Sequence, residues 1–277
     1  MPLDCCPICE GRGRKLSDAG GAPMFLCPKC CHRWQPHLTK NDEQIAKEVT
    51  DRNESTSPAW VFRHIPAQFR VSTGVKILDI GCWEGDILAN LPGEWDKTGV
   101  ELNPLAAERA RGKGINVLTG CIEDVDIESG SFDIILLLDV LEHLPNPIKT
   151  LERSVSFLRP GGCVVCMTGA GDCLGARVFR QSWYYCQYAE HISFFSKKSI
   201  DVLLSKIGLE LTDIERISHP TALQILNIRK VIRKFFTRRR IYNDGLRLNG
   251  SGVSNIKTIL SRLVRRRDHY FFVGVKR

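Results

Sequence analysis

The sequence predicts an α/β protein, an open doubly wound sheet of seven strands with a small zinc ribbon at its amino terminus. Three observations carry that expectation. From Val75 onward, short apolar runs rich in β-branched residues alternate with helical segments, the pattern of strands packed between helices. The first run, residues 75–80, holds one acid, Asp79, and breaks at Gly81-Cys-Trp-Glu-Gly85, a strand that stops at a tight turn and feeds a helix. Two Cys-x-x-Cys pairs stand near the start of the chain.

Residues 1–37 contain Cys6-Pro-Ile-Cys9 and Cys27-Pro-Lys-Cys30, with seventeen residues between the pairs. That spacing is the zinc-ribbon pattern, in which two knuckles complete a tetrahedral site. Cys6, Cys9, Cys27 and Cys30 are the expected ligands, while Cys5, Cys31 and His32 adjoin them and could replace one. Six of the twelve cysteines fall in the first 31 residues, a clustering that favours a metal over a disulfide framework in a reducing compartment. The alternative, free cysteines in a loop, leaves a segment too short for its own core. Four thiolates leave no open position on the metal, so the site is expected to be scaffold and not catalyst.

Residues 38–74 are polar and broken by Pro58 and Pro66. Trp60, Phe62, Ile65 and Phe69 predict a linker helix that packs on, or lids, the following domain. Strands are then expected at 75–80, 97–102, 116–119, 132–138, 162–167, 209–217 and 269–275, with Leu158-Arg-Pro-Gly-Gly162 as a turn before the fifth. Alternation of this kind implies a parallel sheet with ligands at the carboxyl ends of its strands.

Leu78-Asp-Ile-Gly-Cys-Trp-Glu-Gly85 resembles motif I of the class I S-adenosylmethionine (SAM)-dependent methyltransferases, usually written LDIGCGxG. Trp83 takes the place of the middle glycine, which would push the turn outward or lay an indole beside the methionine end of the cofactor. Gly81 and Gly85 would let the backbone approach the ligand, and a helix from Asp86 would aim its free N–H groups there. The resemblance covers about 75–211 and implies a Rossmann-like, seven-stranded methyltransferase sheet within a domain at 75–277. It places the acid that grips both ribose hydroxyls at Glu101, twenty-two residues after Asp79, with Leu102 beside it. It lays adenine against Cys121, Ile122 and Glu123, and puts Leu138 and Asp139 at the methionine moiety, with Cys82 in the motif I turn. Phe132-Asp, Leu138-Asp-Val-Leu-Glu-His-Leu144 and Leu158-Arg-Pro-Gly-Gly162 are further features typical of that family. Read singly, Glu101 is a solvated strand-end acid and Asp79 a helix-capping acid. A dinucleotide site would need a G-x-G-x-x-G turn, which is not present after the first strand.

Two histidines qualify as the group that handles the acceptor's proton. His143 follows the fourth strand, and His191 lies in Tyr188-Ala-Glu-His-Ile-Ser-Phe-Phe-Ser196, behind Trp183, Tyr184 and Tyr185. That aromatic segment would wall an acceptor, or else bury His191 as a core residue. It is similar to segments of methyltransferases found beside surface-polysaccharide and other glycan pathways. Asp139, Glu142 and His143 stand at i, i+3 and i+4, one face of a helical turn, and His191 would complete a divalent-metal site. The set is similar to that of small-RNA 2′-O-methyltransferases and quinone-pathway O-methyltransferases; a helix-capping network around Glu142 is the alternative.

The net charge of +8 is concentrated in residues 221–267, with thirteen Lys/Arg against Asp244 alone. Two amphipathic helices are expected there, striped by Ile225, Ile228, Ile232, Phe235 and Phe236, and by Val253, Ile256, Leu260, Leu263 and Val264. Such helices suit an anionic membrane, a lipid-linked glycan or RNA, or simply pack on the domain. No apolar run reaches the ~20 residues of a membrane span, and the start has no signal-peptide pattern. The expected location is cytoplasmic, with peripheral association at the inner face of the membrane if the basic helices bind anionic lipid. The expected function is SAM-dependent O-methylation of a sugar or other small acceptor in glycan or cell-surface biosynthesis. An RNA methyltransferase gripping through ribbon and basic helices, and a non-catalytic SAM-binding scaffold, are the alternatives.

Overall fold

The structure is a computed structural model that describes residues 2–17, 23–35, 57–179, 183–188, 190–218 and 267–277. The two basic amphipathic helices expected within 221–267, and residues 38–56 of the expected linker, lie outside the described residues. The chain opens with three short strands, β1 (Arg14–Ser17), β2 (Met24–Leu26) and β3 (Arg33–Trp34). Helices α1 (Pro58–His64) and α2 (Ala67–Arg70) follow.

Next come β4 (Lys76–Ile80), α3 (Asp86–Ala89), β5 (Asp96–Glu101), α4 (Pro104–Gly112), β6 (Asn116–Thr119) and β7 (Phe132–Leu138). The chain continues with α5 (Pro147–Ser156), β8 (Leu158–Gly169), α6 (Leu174–Phe179) and β9 (Ser193–Phe194). It closes with α7 (Lys197–Lys206), β10 (Leu209–Ile217) and β11 (His269–Lys276).

Seven strands form one sheet in the order β10-β11-β8-β7-β4-β5-β6. β7 lies at its centre, and its residues from Phe132 to Leu137 are all buried, as a strand covered on both faces requires. The sheet is mixed and not wholly parallel, since β11 runs antiparallel to both β8 and β10. A strand that re-enters a sheet from the end its predecessor left must run antiparallel; a parallel one needs a crossover to the other end. β8 begins four residues before the expected strand, because Leu158, Arg159, Pro160 and Gly161 of the expected turn are absorbed into it. α3 starts at Asp86, as expected after motif I, and is a single turn.

Alternate side chains split the core between the two faces. Ile77, Ile134, Leu136, Val165, Met167 and Phe271 pack with Val61, Ile65 and Phe69 of the segment before the sheet. Trp60 meets Phe271 edge-on at 4.6 Å, and Phe62 lies 5.8 Å from Trp95. On the opposite face, Leu78, Ile135, Leu137, Val164, Cys166 and Phe272 share one cluster with Met24, Phe25 and Trp34. The amino-terminal strands therefore extend the core of the large sheet.

Sequence periodicity did not foresee how closely the two parts join. A second sheet runs β1-β2-β3-β9, with Arg33 opposite Phe194 and Trp34 opposite Ser193. The residue after β9, Phe195, bridges to Ala170 at the end of β8, so the small sheet leads directly to the carboxyl ends of the large one.

Candidate active site

Asp79 and Glu101 lie on the adjacent parallel strands β4 and β5, and motif I turns between them. Gly81 and Gly85 both have left-handed backbones, φ +74° and +75°. A Cβ on Gly81 would come 2.9 Å from Val140 Cγ2, and one on Gly85 2.5 Å from Ile115 Cδ1, so each position demands glycine for conformation and space alike. Trp83, at φ +51°, holds a backbone that costs a side-chain-bearing residue about 1–2 kcal/mol. The Trp83 N–H donates to Glu101 Oε2 at 2.9 Å, and the Asn103 N–H donates to Oε1 at 2.8 Å. These bonds fix the carboxylate at the mouth of the turn.

Glu101 is 7% exposed and Asp79 3%, so Glu101 is no solvated strand-end acid. Asp79 caps no helix, since the residue preceding α3 is Gly85. Burial pushes Asp79 up to about 8, with the charge of Glu101 adding to it. Burial raises Glu101 as well, opposed by the N–H groups of Asn103 and Trp83. Cys82 points inward, and a Cβ on Gly99 would come within 2.4 Å of its Sγ.

The other expected cofactor residues stand at or just past the ends of β5, β6 and β7. Leu102 is exposed and Ile122 buried. Both Glu123 oxygens are engaged, one by the Cys121 thiol at 2.6 Å and one by the Thr150 hydroxyl at 2.6 Å. Leu138 ends β7 on the other side of β4. Asp139 follows at φ +56°, with Oδ1 4.0 Å from His269 Nε2.

Past Asp139 the chain forms a 3-10 turn, Leu141–His143, and not the helical turn expected to align Asp139 with Glu142. One ligand atom each from Glu142, His143 and His191 lies within 4.8 Å of the others, and Asp139 is outside that cluster. Glu142 is 1% exposed. Tyr185 OH donates to its Oε1 at 2.5 Å and Thr168 OH to its Oε2 at 2.8 Å, so hydroxyls and not a helix end occupy this carboxylate.

His191 Nδ1 stands 2.9 Å from the Tyr185 carbonyl, and His143 Nδ1 3.2 Å from that of Glu190. A carbonyl only accepts, so each ring carries its proton on Nδ1 and, when neutral, its lone pair on Nε2. The two imidazoles are 4.8 Å apart, and Tyr185 and Tyr188 lie 4.1 and 4.8 Å from His191. Trp183, Tyr184, Tyr185 and Phe194 are buried and His191 itself is 4% exposed, so the aromatic segment is core and buries His191 beneath Tyr185 and Tyr188, as the alternative reading expected.

Sequence reasoning missed a buried acid–base pair at the start of β11. Asp268 is fully buried and His269 2% exposed. Tyr184 OH donates to Asp268 at 2.6 Å, and Asp268 lies 3.1 Å from His269 Nδ1. The available signal was an Asp-His dipeptide immediately before an apolar strand, where charged residues rarely sit without partners.

The four cysteines converge as their spacing predicts. Cys6 Sγ is 3.6 Å from Cys30 Sγ, and Cys9 Sγ 3.4 Å from Cys27 Sγ. Sulfurs about 2.3 Å from a tetrahedral zinc would be roughly 3.8 Å apart, so the group fits the ion. Both knuckles close identically: the Glu10 N–H donates to Cys6 O and the Cys31 N–H to Cys27 O, each at 2.9 Å. Each ends in a left-handed residue, Glu10 at φ +59° and Cys31 at +60°. A hydrogen bond from Cys30 lowers Cys6 to about 6, while that bond and burial push Cys30 up; only a cation would let all four ionise together. His32 lies apart from this group, its buried ring 4.9 Å from Phe195.

Fold and site together define a class I SAM-dependent methyltransferase domain, joined to a four-cysteine cluster consistent with a zinc ribbon. Residues 38–214, more than half of the chain, match the family model described as methyltransferase domain, and the chain belongs to that family. It is 29% identical over 99 residues to the ubiquinone biosynthesis O-methyltransferase of Vibrio parahaemolyticus, covering 33% of this chain and 42% of that protein. Over 168 residues it is 26% identical to the chloroplastic 2-methyl-6-phytyl-1,4-hydroquinone methyltransferase 1 of Oryza sativa, 57% of this chain and 48% of that one. The chain thus spans less than half the length of these curated relatives.

Among solved structures, one chain comes from the complex of the Haloferax volcanii Trm112 methyltransferase activator with a methyltransferase. It matches at TM-score 0.58 and 16% identity over 84% of this chain and 94% of that one. Haemonchus contortus phosphoethanolamine N-methyltransferase 2 in complex with SAM matches at 0.55 and 20%, over 84% and 56%. At those identities the likeness is one of fold.

Proposed function

We propose that the chain moves the methyl group of SAM to a hydroxyl oxygen of a small acceptor, with a sugar of a glycan precursor as the favoured class. The observation that carries this reading is the pair His143 and His191, each with its Nδ1 proton directed at a carbonyl, beside the buried Glu142. SAM, when bound, supplies a sulfonium methyl open to attack by a lone pair. Gly81, Cys82, Trp83 and Gly85 would admit it, Glu101 would accept its ribose hydroxyls, and Cys121, Ile122 and Glu123 would flank the adenine. Asp79, Leu102, Leu138 and Asp139 complete the cofactor end.

On the acceptor side, His191 Nε2 takes the hydroxyl proton. The ring then carries a positive charge, which the Glu142 carboxylate nearby stabilises. Tyr185 ties the two together, its ring packed at a tilt against His191 while its hydroxyl holds Glu142.

A second reading has its own observation. Ligand atoms from Glu142, His143 and His191 converge within 4.8 Å, and both Nδ1 groups face carbonyls, the outer hydrogen bond that orients metal-binding histidines. A divalent cation there would favour deprotonation of the accepting hydroxyl. Two relatives carry names of quinone-type pathways, which makes a phenolic hydroxyl the competing acceptor.

The four-cysteine centre is proposed to hold one structural zinc. Peripheral binding at the inner face of an anionic membrane, and RNA binding, rest on residues 221–267; among the described residues no helix is long and apolar enough to cross a membrane. The test is transfer from methyl-labelled SAM to nucleotide sugars, lipid-linked sugars, catechols and structured RNA, with and without chelator. Label in a sugar hydroxyl supports the proposal, and label in a catechol or RNA alone overturns it. SAM binding with no transfer to any class would make the chain a SAM-binding scaffold.

A further inference from the structure

The peptide group between His191 and Ile192 is held at both ends. Its carbonyl, that of His191, accepts from the Gln35 side-chain amide at 2.6 Å. Its N–H, that of Ile192, donates to the Glu142 carbonyl at 2.8 Å. Gln35 also donates its backbone N–H to the Ile192 carbonyl at 2.9 Å. One residue at the end of the ribbon thus holds two successive carbonyls of the segment carrying His191.

The neighbouring contacts run the same way. Ser193 and Phe194 are β9, paired to β3, and the Ser196 hydroxyl donates to the carbonyl of the cluster cysteine Cys30 at 2.9 Å. Arg33 donates to the Ala176 carbonyl at 2.9 Å. A two-residue strand does not hold its own place in water; a partner must hold it.

The geometry points to Gln35 as a positioning residue, through which the four-cysteine ribbon sets the place of the His191 imidazole. The inference rests on the acceptor-side reading of His191 given above. A displacement of about 1 Å at such a group can cost on the order of a hundredfold in rate, so a metal centre with no chemistry of its own would still govern transfer. The Glu142 backbone carbonyl holds the same peptide from the opposite side, so the clamp joins the ribbon to the backbone of the residue whose carboxylate lies beside the two histidines.

The test uses the zinc-loaded full chain labelled with 15N in its seven histidines, with His191 assigned from the signals lost in His191→Asn. Gln35→Ala, and Gln35→Glu, which keeps the shape but removes the donor, should each shift or broaden the His191 imidazole signals. Each should also speed exchange of the Ile192 amide by about tenfold, the scale of one lost hydrogen bond. SAM affinity by calorimetry should stay within about twofold. Stripping the zinc with a chelator should reproduce the His191 change, and adding zinc back should reverse it.

Unchanged His191 signals and Ile192 exchange in both Gln35 variants, or after zinc removal, would overturn the inference. The functional reading fails separately, if His191→Ala transfers methyl as fast as the parent.

Discussion

At the proposed cofactor end, Asp79, Gly81, Trp83, Gly85 and Glu101 come from one short stretch, two neighbouring strands and the turn between them. At the proposed acceptor end, Gln35, Glu142, Thr168, Tyr185, His191 and His269 come from nearly the whole length of the chain. The first end is shaped by backbone: left-handed turn residues and N–H groups pointed at a carboxylate. The second is shaped by side chains packed and hydrogen-bonded across the junction of two sheets. The two ends should therefore fail differently, one in binding SAM and the other in using it.

The largest effect is expected from His191→Ala, a fall in transfer rate of about two to four powers of ten with SAM affinity nearly constant. Steady-state rates and calorimetry on the same preparation check it, and a parallel loss of SAM binding would merge the two ends into one. Glu101→Ala should act in the opposite sense, weakening SAM by ~2–3 kcal/mol as the ribose loses a charged acceptor and leaving the acceptor's KM in place. Unaltered SAM affinity would take Glu101 out of the cofactor site.

Asp79 provides a smaller effect with a definite sign. Its folded value, about 8, lies above the ~3.9 of an unfolded aspartate. The folded chain therefore keeps a proton that the unfolded chain releases, and stability falls as pH rises from about 4 to about 8. Asp79→Asn should remove that part of the slope, about 1 kcal/mol or more between pH 5 and pH 8 by urea denaturation. Equal slopes in variant and parent would mean that Asp79 is ionised in the fold.

The smallest change is expected from Trp83→Gly, where relief of the left-handed backbone is offset by a freer unfolded chain. Thermal stability should stay within about 1 kcal/mol of the parent. If SAM also binds more tightly, the indole obstructs the cofactor; if more weakly, it lines the site.

The contrast between the ends also governs what could be read from sequence. β6 and β7 fall at the expected residues because apolar runs bounded by turn residues mark strands directly. The cysteine pairs converge as their spacing implied, since knuckle geometry is local. The acceptor end was half legible. Glu142, His143 and His191 come together, but Asp139 turns toward His269 because its left-handed backbone carries it out of the expected helical face. Asp268 and His269 sat unnoticed at the foot of a basic run. The pairing of β3 with β9 left no periodic trace, since two residues are too few to show alternation and their partners lie far apart in the chain. Strand direction was misjudged at β11 because a buried antiparallel strand reads as the same apolar run as a parallel one.

The pairing of β9 with β3 has a further consequence for any shortened form of the protein. Removing residues 1–35 would leave the backbone groups of Ser193 and Phe194 without their strand partner. It would also bring Phe194 and Phe195, now 1% and 0% exposed, toward water. An open strand edge beside two phenylalanines is a template for self-association. A methyltransferase domain cut free of the ribbon is therefore expected to self-associate, which light scattering on the truncated chain would check.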